Sequence, residues 1–368
     1  MKKLFKRLLP MLPMLTMGMI CGILVGRYGF YAEENGFPAG LFGAIGILFF
    51  GFVLGLFVQI AVHEAGHLVF GLLTGYKFCS YRLGNLMLQL EDGRLRLRRM
   101  TLAGTGGQCL MAPPPWSEDL PAVLYNLGGC LMNLLSAALC LLLWLPLRHH
   151  WLGGLPLVCG FMGLVFALLN GIPMKVGGID NDGRNALSLR KSKTALYAFW
   201  LQMKVSEAQT KGLRLYQMPE DWFTWPEAQL DNPLVATIAV FACNRMMDQQ
   251  RFGEAESAMS QLLAQSTGMP GLYRSLLTCD SIFCKLLAGN TADARALITD
   301  DVQTFMKSMK TFPSVLRTQY ALAVLADHDP AKGEAILAAF DKMAATYPYP
   351  ADIESERELL AQVRATTV

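Results

Sequence analysis

The chain has 368 residues, 53% of them hydrophobic, a mean hydropathy of +0.32 and a net charge of only +3. That length allows two or three domains, the apolar share is too high for an ordinary soluble protein, and the balanced charge excludes an electrostatic nucleic-acid binder. The nine cysteines are odd in number and lack any C-x-x-C spacing, so they read as reduced, buried small side chains and not as a disulfide framework or metal cluster.

Lys2, Lys3, Lys6 and Arg7 open the chain, and an apolar run from Leu8 to Phe30 follows that is long enough to cross a bilayer. It is long for a cleaved leader and shows no small-x-small cleavage site, so it reads as a retained helix with Pro10 and Pro13 in its first turns. After a polar turn, a second span runs from about Ala39 to Tyr76. At 1.5 Å per residue it exceeds the thickness of a bilayer, so it must start late, tilt, break or project.

Within this run stands Val62-His63-Glu64-Ala65-Gly66-His67, an H-E-x-x-H motif. On a helix, His63 and His67 share one face and can reach one metal ion. Two imidazoles and one further ligand leave zinc an open position for water, and Glu64 is placed to act as general base on that water. A purely structural His–Glu–His cluster is a poor fit, because ionisable groups inside a spanning helix are costly and by default functional.

Lys77 to Leu120 is non-spanning. Leu86 to Leu90, Asp92-Gly93 and Arg94 to Arg98 read as a β-hairpin with a two-residue turn. This is either a small cytosolic flap or an edge strand that holds a substrate extended by β-augmentation.

A third span from about Pro121 to Leu147 carries Asn126, Gly128, Gly129 and Asn133, and its two Asn need partners. His149 and His150 follow in a turn and read as interfacial residues on the far side from the H-E-x-x-H site. The fourth span, about Leu155 to Leu169, ends in Asn170-Gly171-Ile172-Pro173 and then a Gly-rich acidic turn through Asp180 and Asp182. Irregular backbone at membrane depth is tolerated where it lines a cavity, so either Asp could complete a metal site.

Four spans with the N-terminus inside put Lys77 to Leu120 and everything after the fourth span in the cytosol. Almost all Lys and Arg of the flanking segments then lie inside, and only Arg148 lies in an outside turn, as the positive-inside rule requires. His63, His67 and the Asp180/Asp182 turn come to the same side.

Residues 187–215 read as a basic amphipathic or connecting helix. From Pro233 the chain is soluble and helical, with second helices of three pairs beginning near Phe252, Thr291 and Ala331. Their spacing of roughly 40 residues is that of helical-hairpin repeats and loosely resembles tetratricopeptide arrays. Expected packing faces are Ala255, Ala258, Met259, Leu262 and Leu263, then Ala294, Leu297, Ile298 and Val302. The more polar final helix, Asp352 to Arg364, suits a cap.

Taken together, His63-Glu64-Ala65-Gly66-His67 in a membrane helix and Asn170-x-x-Pro173 followed by Asp182-Gly183 resemble the site-2 protease family of intramembrane zinc metalloproteases, over roughly Phe49 to Asn185. The resemblance implies His63, His67 and Asp182 as ligands of one zinc ion per chain and Glu64 as the residue that activates water. Gly128-Gly129 with Asn133 resembles the family's positions on the intervening helix. Asp182 lies four residues further from Asn170 than the family's spacing would place it, which puts Gly178 where the Asp belongs. Gly183 favours Asp182, and Asp180 is the alternative third ligand.

The expected protein is thus a multi-pass α-helical membrane protein of about four spans. A small cytosolic β-hairpin region and a C-terminal soluble, tetratricopeptide-like helical domain complete it. Its domains are 1–185 (protease core), 186–232 (connecting segment) and 233–368 (helical domain). The expected activity is a zinc endopeptidase acting on membrane-anchored protein or peptide substrates near the cytosolic leaflet of a bacterial plasma membrane, with both termini cytosolic. Asn170 and Asn133 are candidates to hydrogen-bond the substrate or the developing oxyanion. Partners besides substrate and lipid would bind the helical domain. The alternative is a catalytically silent membrane scaffold that recruits partners through those helices.

Overall fold

The computed structural model describes residues 12–37, 40–91, 93–100, 106–176 and 179–366. The chain divides into two compact units. The first comprises Met1–Phe70, Tyr125–Met174 and Asn181–Asn185. The second comprises Gly71–Leu124, Lys175–Asp180 and Ala186–Val368. The division also breaks at Asn185/Ala186, and 71–124 and 186–232 group with the C-terminal helices.

The first unit is built from α1 (Leu12–Glu34), α2 (Gly40–Leu73), α3 (Ala122–Leu147) and α4 (Gly154–Gly171). Among the described residues three helices are long and apolar enough to cross a membrane: Gly40–Leu73, Ala122–Leu147 and Trp151–Gly171, whose first turn is a 3-10 helix. The sequence predicts four. The start of the missing span, Leu8 to Met11, lies outside the described residues, and α1 ends in the charged pair Glu33 and Glu34. An odd number of crossings puts the two ends of the set on opposite sides, so both termini are cytosolic only if α1 crosses as well. Tyr28 and Ala32 of α1 are buried with Ala44 and Leu48 of α2. The Tyr28 hydroxyl donates to the Trp151 carbonyl at 2.6 Å and accepts from the Gly154 N–H at 3.0 Å.

Helix α2 runs unbroken for 34 residues, about 50 Å at the usual rise, so the excess length is not absorbed by a break.

In the second unit, β1 (Lys77–Leu83), β2 (Leu86–Glu91), β3 (Arg94–Arg99) and β4 (Gly107–Ala112) form an antiparallel sheet in the order β3-β2-β1-β4. The expected hairpin is β2–β3: Glu91 pairs with Arg94, Leu90 with Leu95 and Leu88 with Leu97, and Gly93 supplies the positive φ of the turn. The alternation decides which face is covered. Met87 and Gln89 are each 1% exposed, with the Gln89 amide donating to the Pro348 carbonyl, whereas Leu95 and Leu97 face out. Strand β3 is an outer strand, and the Thr346 carbonyl takes its Arg99 N–H.

A two-stranded pair, β5 (Lys175–Val176) and β6 (Ile179–Asp180), precedes α5 (Asp182–Lys191) and α6 (Lys193–Thr210). The single helix expected over 187–215 is two helices, because the Ser192 hydroxyl accepts from Ala195 N–H and starts a new one.

The helical pairs follow as expected. They are α7 (Pro233–Asp248) with α8 (Phe252–Ala264), α9 (Gly271–Leu287) with α10 (Thr291–Ala296), and α12 (Pro313–Ala321) with α13 (Pro330–Ala344). An extra helix, α11 (Asp300–Ser308), intervenes, and a π-helical turn extends α12. Ala255, Met259, Leu262 and Ala294 are buried in one core with Ile282, Phe283 and Phe340. The last helix, α14 (Pro350–Thr366), buries Ile353, Leu359, Leu360 and Val363 in that core, so it is an integral layer and not only a polar cap.

Candidate metal centre

His63 and His67 lie one turn apart on α2, both 9% exposed, with their Nε2 atoms 3.3 Å from each other. Asp182, the first residue of α5, brings its Oδ2 to 3.0 Å from His63 Nε2 and 3.5 Å from His67 Nε2. Among the described residues these three form the candidate metal-binding group.

Small residues make the convergence possible. A Cβ on Gly66 would stand 2.3 Å from the Gly128 carbonyl oxygen, and one on Gly129 would stand 2.5 Å from the His63 ring. The α2 and α3 backbones therefore touch where the imidazoles sit. Gly183 does the same for the third ligand, since a Cβ there would stand 2.1 Å from the Gly171 carbonyl oxygen. The Asp-Gly pairing is thus a packing requirement that lets α5 start against the end of α4.

Asn181 carries the turn that delivers Asp182. Pro173 cannot donate to the Leu169 carbonyl, four residues back in α4. The Asn181 amide donates to that carbonyl and to the Ile172 carbonyl, each at 2.6 Å. Its Oδ1 accepts from the Met174 N–H at 3.1 Å and, as N-cap of α5, from the Arg184 N–H at 3.0 Å. Nothing in the sequence separated this Asn from an ordinary turn residue, although a missing donor at Pro173 is a signal that a side chain must supply one.

The outer ring nitrogens are engaged. His67 Nδ1 is 2.9 Å from the Tyr125 carbonyl, which can only accept, so Nδ1 carries the proton and Nε2 a lone pair. His63 Nδ1 is 2.8 Å from Asn133 Oδ1. Two Nε2 lone pairs and a carboxylate oxygen then converge, with Asp182 Oδ2 facing both rings. Three acceptors at these separations need positive charge between them. Protons on the rings are one source: burial pushes the Asp182 carboxyl up, but hydrogen bonds from His63 and His67 outweigh it and hold the group down at about 2. A divalent cation is the source that serves all three at once. Two imidazoles and a carboxylate are a donor set that suits zinc.

Glu64 is half-buried and close enough to His67 to act on it through Coulombic attraction. Asp180 is not in the cluster: it faces Lys175 across the β5–β6 pair, Nζ to Oδ1 3.7 Å. Gly178 lies outside the described residues. Asn170 turns its amide back to the Phe166 carbonyl at 3.0 Å. Asn133 has a different neighbour from the one expected of an oxyanion donor. It is fully buried, both its amide protons go to Gln59, and its oxygen faces His63. Gln59, also fully buried, stands one helical turn before the H-E-x-x-H motif and is a functional residue that the motif does not include. His149 and His150 stay in their turn, with His150 Nδ1 accepting from the Leu152 N–H. Cys79, Cys109, Cys130, Cys140, Cys159, Cys243, Cys279 and Cys284 are free.

No protein-family model matches the chain, and no curated protein or solved structure is significantly similar to it.

Proposed function

We propose that the chain is an intramembrane zinc endopeptidase of the site-2 protease type, hydrolysing peptide bonds of membrane-associated proteins or peptides near the cytosolic leaflet. The observation that carries this reading is the convergence of three buried acceptors, His63 Nε2, His67 Nε2 and Asp182 Oδ2, on one point beside a glutamate in a membrane-spanning helix.

His63, His67 and Asp182 would hold the ion. Bound zinc supplies Lewis acidity, polarising a carbonyl and acidifying water. The Glu64 carboxylate accepts a proton from the attacking water and returns it to the leaving amine. Asn170 is half-buried, and its Oδ1 is the substrate-facing acceptor of this reading. A substrate held extended would add to the outer edge of β3 ahead of Arg99. Both termini are cytosolic in this reading, with α1 as a fourth crossing, and the C-terminal helical pairs are the surface for protein partners.

The test is zinc content and cleavage by detergent-purified protein. Wild type is expected to hold about one zinc per chain, His67→Ala and Asp182→Ala to lose it, and Asp180→Ala to keep it. Glu64→Gln is expected to keep zinc and lose cleavage of a membrane-anchored reporter. Wild type without zinc after incubation with the metal, together with a cellular phenotype unchanged in Glu64→Gln, would leave the scaffold reading instead.

A further inference from the structure

Zinc can use only a ring nitrogen that lacks a proton, so the tautomer of each histidine decides whether the site can form. For His67 the Tyr125 carbonyl settles this. For His63 the partner is an amide, which can present either oxygen or nitrogen.

The orientation of that amide is fixed by a chain of hydrogen bonds across three helices. Its anchor is the Cys159 carbonyl on α4, which can only accept. The Gln59 Nε2 on α2 donates to it at 3.1 Å and to the Ser136 hydroxyl at 3.0 Å. Gln59 therefore turns its Oε1 to Asn133 on α3, whose Nδ2 donates to it at 2.8 Å. The second Nδ2 proton goes to the Gln59 backbone carbonyl at 3.0 Å, another group that only accepts. Asn133 Oδ1 is left facing His63 Nδ1 at 2.8 Å, so Nδ1 carries the proton and the Nε2 lone pair points toward Asp182. Gln59 and Asn133 both have 0% exposure, so no water can substitute for a lost link. Space for the relay is also provided, since a Cβ on Gly163 would stand 3.0 Å from Gln59 Nε2.

We propose that Gln59 and Asn133 are positioning residues of the metal centre, a buried amide relay that sets the tautomer of His63 and so prepares its Nε2 as a ligand. The inference rests on the reading of His63 as a metal ligand. It removes Asn133 from the substrate's side of the site and gives it a role through His63.

Two measurements on the full chain in detergent test it. The first is the 15N spectrum of histidine-labelled, metal-free protein at alkaline pH, where imidazoles are neutral. The second is zinc affinity by competition with a chelator. In wild type His63 is expected as the Nδ1–H form. Asn133→Leu moves the proton to Nε2, where Asp182 accepts it, and zinc affinity falls about 10- to 100-fold. Gln59→Met, matched in length but without hydrogen bonds, shifts both readouts in the same direction by less. Gln59→Glu restores the zinc affinity measured near neutral pH, because a carboxyl kept neutral by burial can donate to Cys159 and accept from Asn133. An unchanged His63 spectrum and unchanged affinity in a folded Asn133→Leu protein would overturn the relay. A wild type that binds no zinc, yet whose His63 proton moves in Asn133→Leu, would overturn the metal reading and leave the relay standing.

Discussion

In the C-terminal helical unit Arg317 is 2% exposed and sits between Asp280 and Glu356, with its guanidinium over the Phe283 ring. Nearby, Arg214 spans Asp248 at 2.7 Å and Glu358 at 2.7 Å. In the membrane unit His63 and His67 are buried and Asp182 half-buried, and all three present acceptors to one another. Both regions bury ionisable groups. In the first, Arg317 and Arg214 each lie between two carboxylates that accept their hydrogen bonds. In the second, the protein supplies the acceptors and leaves the positive charge to come from elsewhere. A balanced buried cluster is an architectural element, and the unbalanced one is where we propose that the metal binds.

The largest expected effect tests the balanced side. Arg317→Met strands two buried carboxylates and should cost about 3–5 kcal/mol in the unfolding of the helical unit. Zinc content of the folded fraction should be unchanged. A thermal midpoint like that of wild type would show that the cluster is not structural.

Asn181→Ala comes next. It removes four hydrogen bonds and leaves the Leu169 and Ile172 carbonyls without their donor, about 2–3 kcal/mol by denaturant unfolding. Because Asp182 follows directly, zinc should be lost as well. Retention of zinc with reduced stability would detach the turn from the site.

Balance in the helical unit also depends on pH. Burial pushes the Asp352 and Glu356 carboxyls up to about 7, with Arg317 opposing this at Glu356. The folded state then holds these protons more tightly than the unfolded chain, whose carboxylates titrate near ~4. Their contribution is complete below about pH 4 and is lost as the pH rises to about 7. Asp352→Asn should flatten that fall by about 1–2 kcal/mol, read as a smaller difference between thermal midpoints at pH 5 and pH 8. An unchanged difference would mean that Asp352 carries its charge without penalty.

The smallest effect has the opposite sign from most substitutions. Asp182→Asn offers a donor to the facing Nε2 lone pairs, so it should abolish zinc binding and, at alkaline pH where the rings carry no second proton, stabilise the metal-free protein by about 1 kcal/mol. Destabilisation would contradict the account of the site as an excess of acceptors.

What was legible in the sequence follows from how local each signal is. The H-E-x-x-H helix could be read because both histidines and the glutamate lie within one turn and a half. The β2–β3 hairpin could be read from Asp92-Gly93 and the alternation beside it. Strands β1 and β4 could not, because Lys77–Leu83 mixes polar and apolar residues along its length and β4 joins it from more than twenty residues away. Ser192 gives a weak cap signal inside an otherwise helical run, so two helices read as one. Asp182 was separable from Asp180 by Gly183, yet the reason, contact with the Gly171 carbonyl, is a tertiary fact. Gln59 gives only the general signal of an amide in an apolar run that needs partners, since those partners lie on two other helices.

The neck formed by Met174 and Asn181 bears on the unusual distance between Asn170 and Asp182. The Met174 N–H donates to Asn181 Oδ1 and the Asn181 N–H donates to the Met174 carbonyl, each at 3.1 Å. The chain leaves and re-enters at a closed point, and the β5–β6 pair is an excursion beyond it. Chain length in that excursion is therefore uncoupled from ligand position: an insertion there lengthens the loop and leaves the carboxylate in place. A ligand can in this way drift along a sequence while staying fixed in space.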